Sequence, residues 1–205
     1  MPSAYLFDLD GTLYTDAGPV PGAVEALERL QQARIPFRYI TNTSRRSRAA
    51  IVERLRSYGF PAAAGQVMTS VLAAAELVRR RGHRVVAPFV APQALPDLGE
   101  FELVGGTSGV APGSTSPDAV IIGDLAEGWS YGLLQEAFRA VMGGADVIAL
   151  SRDRYWLRGD GLALDAGPFV AAIEFATGIS ARVAGKPSRD FFEAAAFIRF
   201  KELLA

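Results

Sequence analysis

Two carboxylates placed two residues apart are the strongest candidates for chemistry in the sequence. Asp8 and Asp10 follow an unbroken apolar run at residues 4–7, which predicts a strand buried on both faces, as in a parallel sheet. Oxygen ligands at the end of such a strand suit Mg²⁺, which usually keeps several of its waters. With the ion neutralising charge, Asp8 suits nucleophilic attack on phosphorus, and Asp10 suits proton transfer as acid and base.

The same residues allow a second interpretation, a β-hairpin closed by Asp10 and Gly11, because Asp-Gly between apolar runs is a strong hairpin signal. Two features favour the parallel strand instead. Residues 4–7 are continuously apolar rather than alternating, and the chain after Leu13 becomes rich in Pro and Gly and then helical.

The composition excludes several kinds of site. The 205 residues include no cysteine and one histidine, His83, so disulfides, thiolate nucleophiles and Cys or multi-His metal sites are excluded. We assign His83 no role. The formal net charge is −1, which gives no signature of nucleic-acid binding. No apolar run approaches the ~18 residues of a membrane span, and without an export signal we expect a cytoplasmic protein that binds no membrane.

The first sixty residues predict alternating strands and helices. After the first strand, helical spacing of apolar residues over 24–30 is followed by a strand over 37–40. A second helix follows, with Thr43 or Ser44 as its N-cap and Gly59 at its C-terminal end. This order predicts an α/β fold in which parallel strands are joined by right-handed crossovers.

The rest of the chain continues the mixture of helices and strands. Apolar spacing predicts helices over 70–81, 131–142 and 169–177, and strands over 84–90, 119–122, 147–150 and 179–184. A loop rich in Gly, Ser and Pro spans residues 105–118, and Asp160-Gly161 predicts a turn.

The six-residue segment that begins at Asp8, Asp-Leu-Asp-Gly-Thr-Leu, resembles the first motif of the haloacid dehalogenase (HAD) superfamily of hydrolases. The resemblance implies that Asp8 is an aspartyl nucleophile and that Asp10 is the acid and base. Thr41, followed by Asn42, is similar to the second motif, whose hydroxyl binds the transferring phosphoryl group. Lys186 is similar to the lysine of the third motif, which stabilises the nucleophile and the phosphorylated intermediate.

Each of the later residues also has a plainer interpretation. Thr41 and Asn42 alone are typical of a turn and a helix N-cap, and Lys186 alone is typical of a solvated lysine before a proline. A nucleotide-binding P-loop is excluded, because Ser180 stands where that motif needs glycine and Pro187 where it needs Ser or Thr.

The second and third motifs together resemble HAD subfamily IIA, which carries a large α/β cap. Its members include 4-nitrophenylphosphatases, phosphoglycolate phosphatases and phospholysine phosphohistidine inorganic pyrophosphate phosphatase. The resemblance implies a Rossmann-like core with a parallel sheet, formed by residues 1–69 and 168–205. It also implies an α/β cap inserted at residues 70–167.

The resemblance carries a cofactor and a substrate class as well. It implies Mg²⁺ bound by Asp8 and Asp10. It implies a small phosphorylated substrate, bound by Thr41, Asn42 and Lys186. Caps of this subgroup commonly mediate dimers, so the resemblance allows a homodimer, and the sequence itself does not give the oligomeric state.

The fourth motif of the family, a strand ending in acidic metal ligands, is missing after Lys186. Residues 120–124 are similar to it but precede Lys186, so Asp124 is a weak candidate for a metal ligand. We therefore expect a core that is incomplete at its C-terminal end, with one edge of its first strand unpaired. Two functions stay open: a magnesium-dependent phosphatase that forms an aspartyl-phosphate, and an inactive HAD-like protein that binds phosphate or another protein.

Arg45, Arg46 and Arg48 form a basic cluster at the predicted start of the second helix, where the helix dipole disfavours cations. The cluster either draws a phosphorylated substrate toward the site or forms a solvated face.

Overall fold

The structure is a computed structural model that describes residues 4–111, 115–159 and 161–197. Its helices are α1 (Ala23–Gln32), α2 (Arg48–Ser57), α3 (Ser70–Arg80), α4 (Tyr131–Met142), α5 (Ala166–Thr177) and α6 (Arg189–Phe197). Its strands are β1 (Tyr5–Asp8), β2 (Tyr14–Thr15), β3 (Gly18–Pro19), β4 (Phe37–Thr41), β5 (Val67–Thr69), β6 (Val85–Phe89), β7 (Glu102–Leu103), β8 (Ala119–Ile122), β9 (Asp146–Ala149), β10 (Tyr155–Arg158), β11 (Gly161–Leu164) and β12 (Arg182–Val183).

The first sheet is parallel and has the strand order β1-β4-β5. Asp8 at the end of β1 lies opposite Ile40, so the carboxyl ends of β1 and β4 meet at one edge of the sheet. Among the described residues β1 pairs with β4 alone, and Tyr5 and Leu6 are each 37% exposed. The exposure of these two side chains differs from the predicted burial of the first strand on both faces.

The hairpin closed by Asp10 and Gly11 does not form from β1. Gly11 has a φ of +78°, which a residue with a Cβ rarely adopts, and its N–H donates to the carbonyl of Tyr14 at 2.8 Å. The chain then makes a short separate hairpin from β2 and β3. Asp10 is therefore held in a tight turn just beyond the end of β1, as a site at a strand end requires.

The second sheet is also parallel and has the strand order β12-β9-β8-β6-β7. All four residues of β8 are fully buried, because helices cover both faces of the sheet. Helices α4 and α5 pack on one face, and α3 and α6 supply apolar residues to the other. This arrangement confirms the predicted α/β class.

One apolar cluster joins the two sheets. Ile40 and Met68 of the first sheet share this cluster with Ile121 and Ile148 of the second, and Phe191 of α6 lies in it fully buried. The carboxyl ends of the two sheets are therefore held in a fixed relation by a shared core.

The predicted division into core and cap stays a prediction, and the sheet pairing favours a later second boundary. Residues 168–183 fall in the predicted core, yet β12 pairs with β9 in the second sheet, and α5 packs against that sheet. A cap that ends near residue 184 fits these contacts better than one that ends at 167.

Two local predictions differ from the structure, and the predicted turn at Asp160-Gly161 includes Asp160, which lies outside the described residues. Helix α2 begins at Arg48 rather than earlier, because Ser47 is its N-cap and accepts a hydrogen bond from Ala50 N at 3.3 Å. The strand predicted over 179–184 is limited to β12. The antiparallel hairpin β10–β11 was not predicted. No helix in the described part of the chain is long and apolar enough to cross a bilayer.

Candidate active site

A cavity of about 440 Å³ lies where the carboxyl ends of the two parallel sheets approach each other. Its lining residues are Asp8, Asp10, Thr41, Asn42, Thr43, Ser44, Arg45, Asp124, Ser151, Asp153, Trp156, Asp165 and Lys186. All five residues singled out from the sequence as catalytic or substrate-binding are among them. Carboxyl ends of parallel strands are where α/β proteins commonly bind ligands.

Asp8 and Lys186 form an ion pair inside this cavity. Lys186 Nζ donates to Asp8 Oδ1 at 2.5 Å, and the backbone N–H of Leu9 donates to the same oxygen at 2.9 Å. The Lys186 side chain is 17% exposed and that of Asp8 is 47% exposed. The carboxylate is thus oriented through one oxygen while it stays open to the cavity.

Asp10 is linked to β4 through two hydroxyls. The Thr41 hydroxyl donates to Thr43 Oγ1 at 3.0 Å, and the Thr43 hydroxyl donates to Asp10 Oδ2 at 3.3 Å. Tyr14, which forms a bridge with Asp10, is buried, and burial followed by the nearby Asp10 charge raises the pKa of Tyr14 to about 12. Tyr14 therefore stays protonated beside Asp10 at neutral pH.

Asn42 holds the backbone of Lys186 rather than pointing a spare polar atom at the cavity. Its Oδ1 accepts from Lys186 N at 2.7 Å, and its Nδ2 donates to the Lys186 carbonyl at 3.0 Å. A Cβ on Gly185 would lie 2.0 Å from the Leu150 carbonyl oxygen and 2.9 Å from Asn42 Oδ1. Only glycine permits this close approach, so the Gly-Lys pair has a packing reason.

The second sheet supplies the far wall of the cavity. Asp124 follows β8, Ser151 and Asp153 follow β9, and Asp165 is the N-cap of α5. Burial raises the pKa of Asp165, and the neighbouring charges of Asp124 and Asp153 raise it further. Of these residues, only Asp124 was considered from the sequence. Ser151 and Asp153 follow the strand predicted over 147–150, and that position was the available signal for them. Asp165 follows β11, which was not predicted.

The donor set at Asp8 and Asp10 fits a magnesium ion. Mg²⁺ is usually bound by one or two carboxylates together with waters and substrate phosphate oxygens, and Asp8 at the end of β1 and Asp10 just beyond it supply oxygen ligands. Among the described residues, no cluster of three or more His, Cys, Asp or Glu could hold a metal ion. Asp124 is engaged elsewhere, since its Oδ1 accepts from Ala126 N at 2.7 Å and its Oδ2 from Arg45 Nε at 2.7 Å.

The basic cluster divides in the structure. Because α2 begins at Arg48, Arg45 and Arg46 lie in the loop before it, and Arg45 alone of the three lines the cavity. His83 lies just after α3, where its Nε2 is 2.7 Å from Asp146 Oδ2, and it is not among the cavity residues.

Comparisons with known proteins agree with this geometry. Residues 5–102 match the model of the haloacid dehalogenase-like hydrolase family. The chain is 43% identical to haloacid dehalogenase-like hydrolase domain-containing protein 2 of Rattus norvegicus over 189 residues, covering 92% of this chain and 68% of the relative. It is 36% identical to phospholysine phosphohistidine inorganic pyrophosphate phosphatase of Bos taurus over 200 residues, covering 93% of this chain and 68% of the relative.

The fold has solved counterparts among phosphatases. The structure of a glycerol phosphate phosphatase from Mycobacterium tuberculosis, in complex with calcium, matches with a TM-score of 0.78 and 30% identity, covering 96% of this chain and 56% of that one. Sequence motifs, sheet topology and these similarities agree, and the chain belongs to the haloacid dehalogenase-like hydrolases.

Proposed function

We propose that this phosphohydrolase hydrolyses a small phosphorylated compound through an aspartyl-phosphate on Asp8, with Mg²⁺ as its cofactor. The observation that carries the proposal is the bond between Lys186 Nζ and Asp8 Oδ1, which joins two segments 178 residues apart in one cavity. A lysine against a carboxylate at the end of a parallel strand is suited to a nucleophile that must accept a highly charged group.

The two oxygens of Asp8 have different surroundings. Because Lys186 Nζ and Leu9 N both bond Oδ1, we assign the attack to Oδ2. A bond forms between Oδ2 and phosphorus while the bond from phosphorus to the leaving-group oxygen breaks. Asp10 gives its proton to that oxygen, so the leaving group departs as a neutral hydroxyl compound.

The second step regenerates the carboxylate. A water attacks the phosphorus of the aspartyl-phosphate, Asp10 takes a proton from that water, and the bond between phosphorus and Asp8 breaks. The products are inorganic phosphate and free Asp8, with Asp10 protonated again. The hydrogen bond from the Thr43 hydroxyl keeps the Asp10 carboxyl in place through both steps.

The remaining residues position the reacting groups and offset their negative charge. The Lys186 ammonium offsets the charge of Asp8 before attack and that of the phosphoryl oxygens afterwards. Thr41 ends β4 and lines the cavity, so its hydroxyl would bind the phosphoryl group by exchanging its hydrogen bond to Thr43 Oγ1 for one to a phosphoryl oxygen. Asn42 is a positioning residue, since both polar atoms of its amide bond the Lys186 backbone.

Asp8 and Asp10 are the residues that would hold Mg²⁺, and the ion would supply charge neutralisation and orientation of the phosphoryl oxygens. Asp10 would bind the ion through its main-chain carbonyl oxygen, because its carboxyl group is needed for proton transfer. The calcium in the structure of the glycerol phosphate phosphatase supports a divalent cation in this family. The names of that protein and of the bovine phosphatase support a small phosphorylated substrate. A homodimer and a cytoplasmic location stay predictions.

The test is phosphate release from p-nitrophenyl phosphate in the presence of Mg²⁺. We expect Asp8→Asn to lower kcat by at least about 10³-fold, because the amide is not a nucleophile. We expect Asp10→Asn to lower kcat by about 10²- to 10⁴-fold, which is the usual contribution of an acid–base group. Asp16→Asn, at an exposed carboxylate between β2 and β3, serves as the control.

Release of phosphate by Asp8→Asn at the wild-type rate would rule out the aspartyl-phosphate. If the wild-type chain binds inorganic phosphate in a calorimetric titration without needing Mg²⁺ and releases none from the ester, the phosphate-binding alternative replaces the enzyme.

A further inference from the structure

Arg45 reaches from the phosphate-binding side of the cavity to the opposite wall. It lies in the loop after β4, four residues beyond Thr41, and its Nε donates to Asp124 Oδ2 at 2.7 Å. The Arg45 guanidinium carbon also lies 4.7 Å from the centroid of the Trp156 ring. One side chain therefore connects the loop that carries Thr41 to two separate elements of the far wall.

Trp156 projects from a hairpin that has two unlike faces. In β10–β11, Trp156 lies opposite Ala163, and Trp156 lines the cavity. The alternate positions form the other face, and all four of their side chains are exposed: Tyr155 by 59%, Leu157 by 76%, Leu162 by 71% and Leu164 by 59%. The contact with Arg45 therefore falls on the inner face of the hairpin, against the cavity.

Asp124, the carboxylate that Arg45 contacts beyond the end of β8, is itself held in place. Asp124 Oδ1 accepts the backbone N–H of Ala126, so the carboxylate presents Oδ2 to the guanidinium in a defined orientation. The Asp124 side chain is 12% exposed and that of Arg45 is 35% exposed. A guanidinium that is both paired with a carboxylate and stacked on an indole has little freedom to move, and it presents a flat surface.

We propose that Arg45 determines substrate specificity, by forming with Trp156 the wall against which the leaving group of the phosphate ester packs. This inference rests on the proposed function, because a leaving group exists only if the phosphoryl group is transferred at Asp8. Asp8, Thr41 and Lys186 bind the phosphoryl part of the substrate, and Arg45 binds the remainder. The substrate class is a phosphate ester with a planar organic leaving group.

The test compares p-nitrophenyl phosphate with inorganic phosphate, which lacks the organic group. Both are titrated calorimetrically into Asp8→Asn, which separates binding from turnover. Adding Arg45→Ala should lower the affinity for p-nitrophenyl phosphate by about fivefold to tenfold, which is the size of a partly buried cation–π contact. The affinity for inorganic phosphate should change by less than about twofold. Arg45→Lys keeps the charge but loses the planar stack, so we expect an intermediate effect.

Arg46→Ala is the matched comparison, since it removes the same charge from the same loop outside the cavity. If the arginines act only by attracting anions, Arg45→Ala and Arg46→Ala weaken both ligands equally, and the proposal is wrong. Loss of phosphate binding as large as loss of ester binding in Arg45→Ala would also overturn it, because the effect would then belong to the phosphoryl half.

A second readout needs no ligand. The chain has two tryptophans, and Trp156→Phe leaves only Trp129, so the difference between the two proteins gives the fluorescence of Trp156. Removing Arg45 should raise the acrylamide quenching of that component. Unchanged quenching would contradict the contact. Absence of turnover in wild type with the ligand ratios as expected would instead refute the proposed function, and Arg45 would then be a binding residue for the organic part of a phosphate ester.

Discussion

At the scale of single residues, the position of Lys186 depends on a glycine and an asparagine. Gly185 lets the chain pass against the Leu150 carbonyl, and Asn42 then bonds both backbone groups of Lys186. These contacts set where the Lys186 ammonium lies relative to Asp8. A backbone shift of about 1 Å at Gly185 would therefore displace the Lys186 ammonium from Asp8 and lower the rate of catalysis.

We predict that Gly185→Ala lowers kcat/KM by about 100-fold, the usual effect of displacing a catalytic group by about 1 Å. The added Cβ would lie 2.0 Å from the Leu150 carbonyl oxygen, so the backbone carrying Lys186 must move. Kinetics with p-nitrophenyl phosphate measure the loss. Gly65→Ala is the control, because its Cβ meets nothing within 4 Å. Equal activity of the two variants would show that Lys186 tolerates displacement.

The sequence identified site residues where a short motif is specific to one kind of chemistry. Asp8 and Asp10 were identified because a carboxylate pair follows a short apolar run, and Lys186 was identified by its resemblance to the third motif of the family. Asn42 lines the cavity, but nothing in its sequence neighbours shows that its amide also bonds a chain segment 144 residues away. The stack of Arg45 on Trp156 is a contact between distant segments, and periodicity carries no information about it.

At the scale of elements, most helices and strands followed from apolar spacing, and the hairpin β10–β11 did not. Tyr155, Leu157, Leu162 and Leu164 lie exposed on one face, so the usual pattern of apolar inside and polar outside is reversed there. The Asp-Gly turn at 160–161 was the available signal, and apolar residues flank it on both sides. The two strands pair as in any antiparallel sheet, but the apolar side chains of one face are exposed instead of buried.

A carboxylate fixes where β6 begins relative to β8. Asp118, just before β8, accepts the backbone N–H groups of Arg84 at 2.7 Å and Val85 at 2.9 Å, and these two bonds lower the pKa of Asp118. We predict that Asp118→Ala lowers the free energy of unfolding by about 1 kcal/mol at pH 7, a value reduced for solvent screening.

The pH dependence of this effect has a definite sign. Since folding lowers the Asp118 pKa, its contribution is fully present above the unfolded value of about 3.9 and is lost as pH falls through the lower folded value. Urea titrations between pH 7 and pH 3 should show the stabilities of wild type and Asp118→Ala converging at the acid end. A difference that stays constant over this range would assign the loss to packing, and the exposed Asp16→Ala should show no difference at any pH.

At the scale of the whole molecule, the site exists because two sheets present their carboxyl ends to one cavity. Asp8 and Thr41 come from the first sheet, and Asp124 and Ser151 follow strands of the second. The apolar cluster that spans both sheets holds this arrangement, with α3 and α6 contributing to it. If the contacts in this cluster couple the two sheets energetically, the two sheets unfold together in one cooperative transition.

Phe191 tests this cooperativity, because it is fully buried in the shared cluster while the reporter Trp129 lies in a different one, stacked between Phe89 and Phe169. In a Trp156→Phe background, we predict that Phe191→Ala lowers the free energy of unfolding by about 3–5 kcal/mol. The Trp129 fluorescence and far-ultraviolet circular dichroism transitions in urea should shift together. Phe175→Ala, at a side chain that is 94% exposed, should change stability by less than about 0.5 kcal/mol.

If Phe191→Ala shifts the dichroism transition and leaves the Trp129 transition in place, the second sheet folds independently of the shared cluster. The cavity between the sheets would then open and close without unfolding either one.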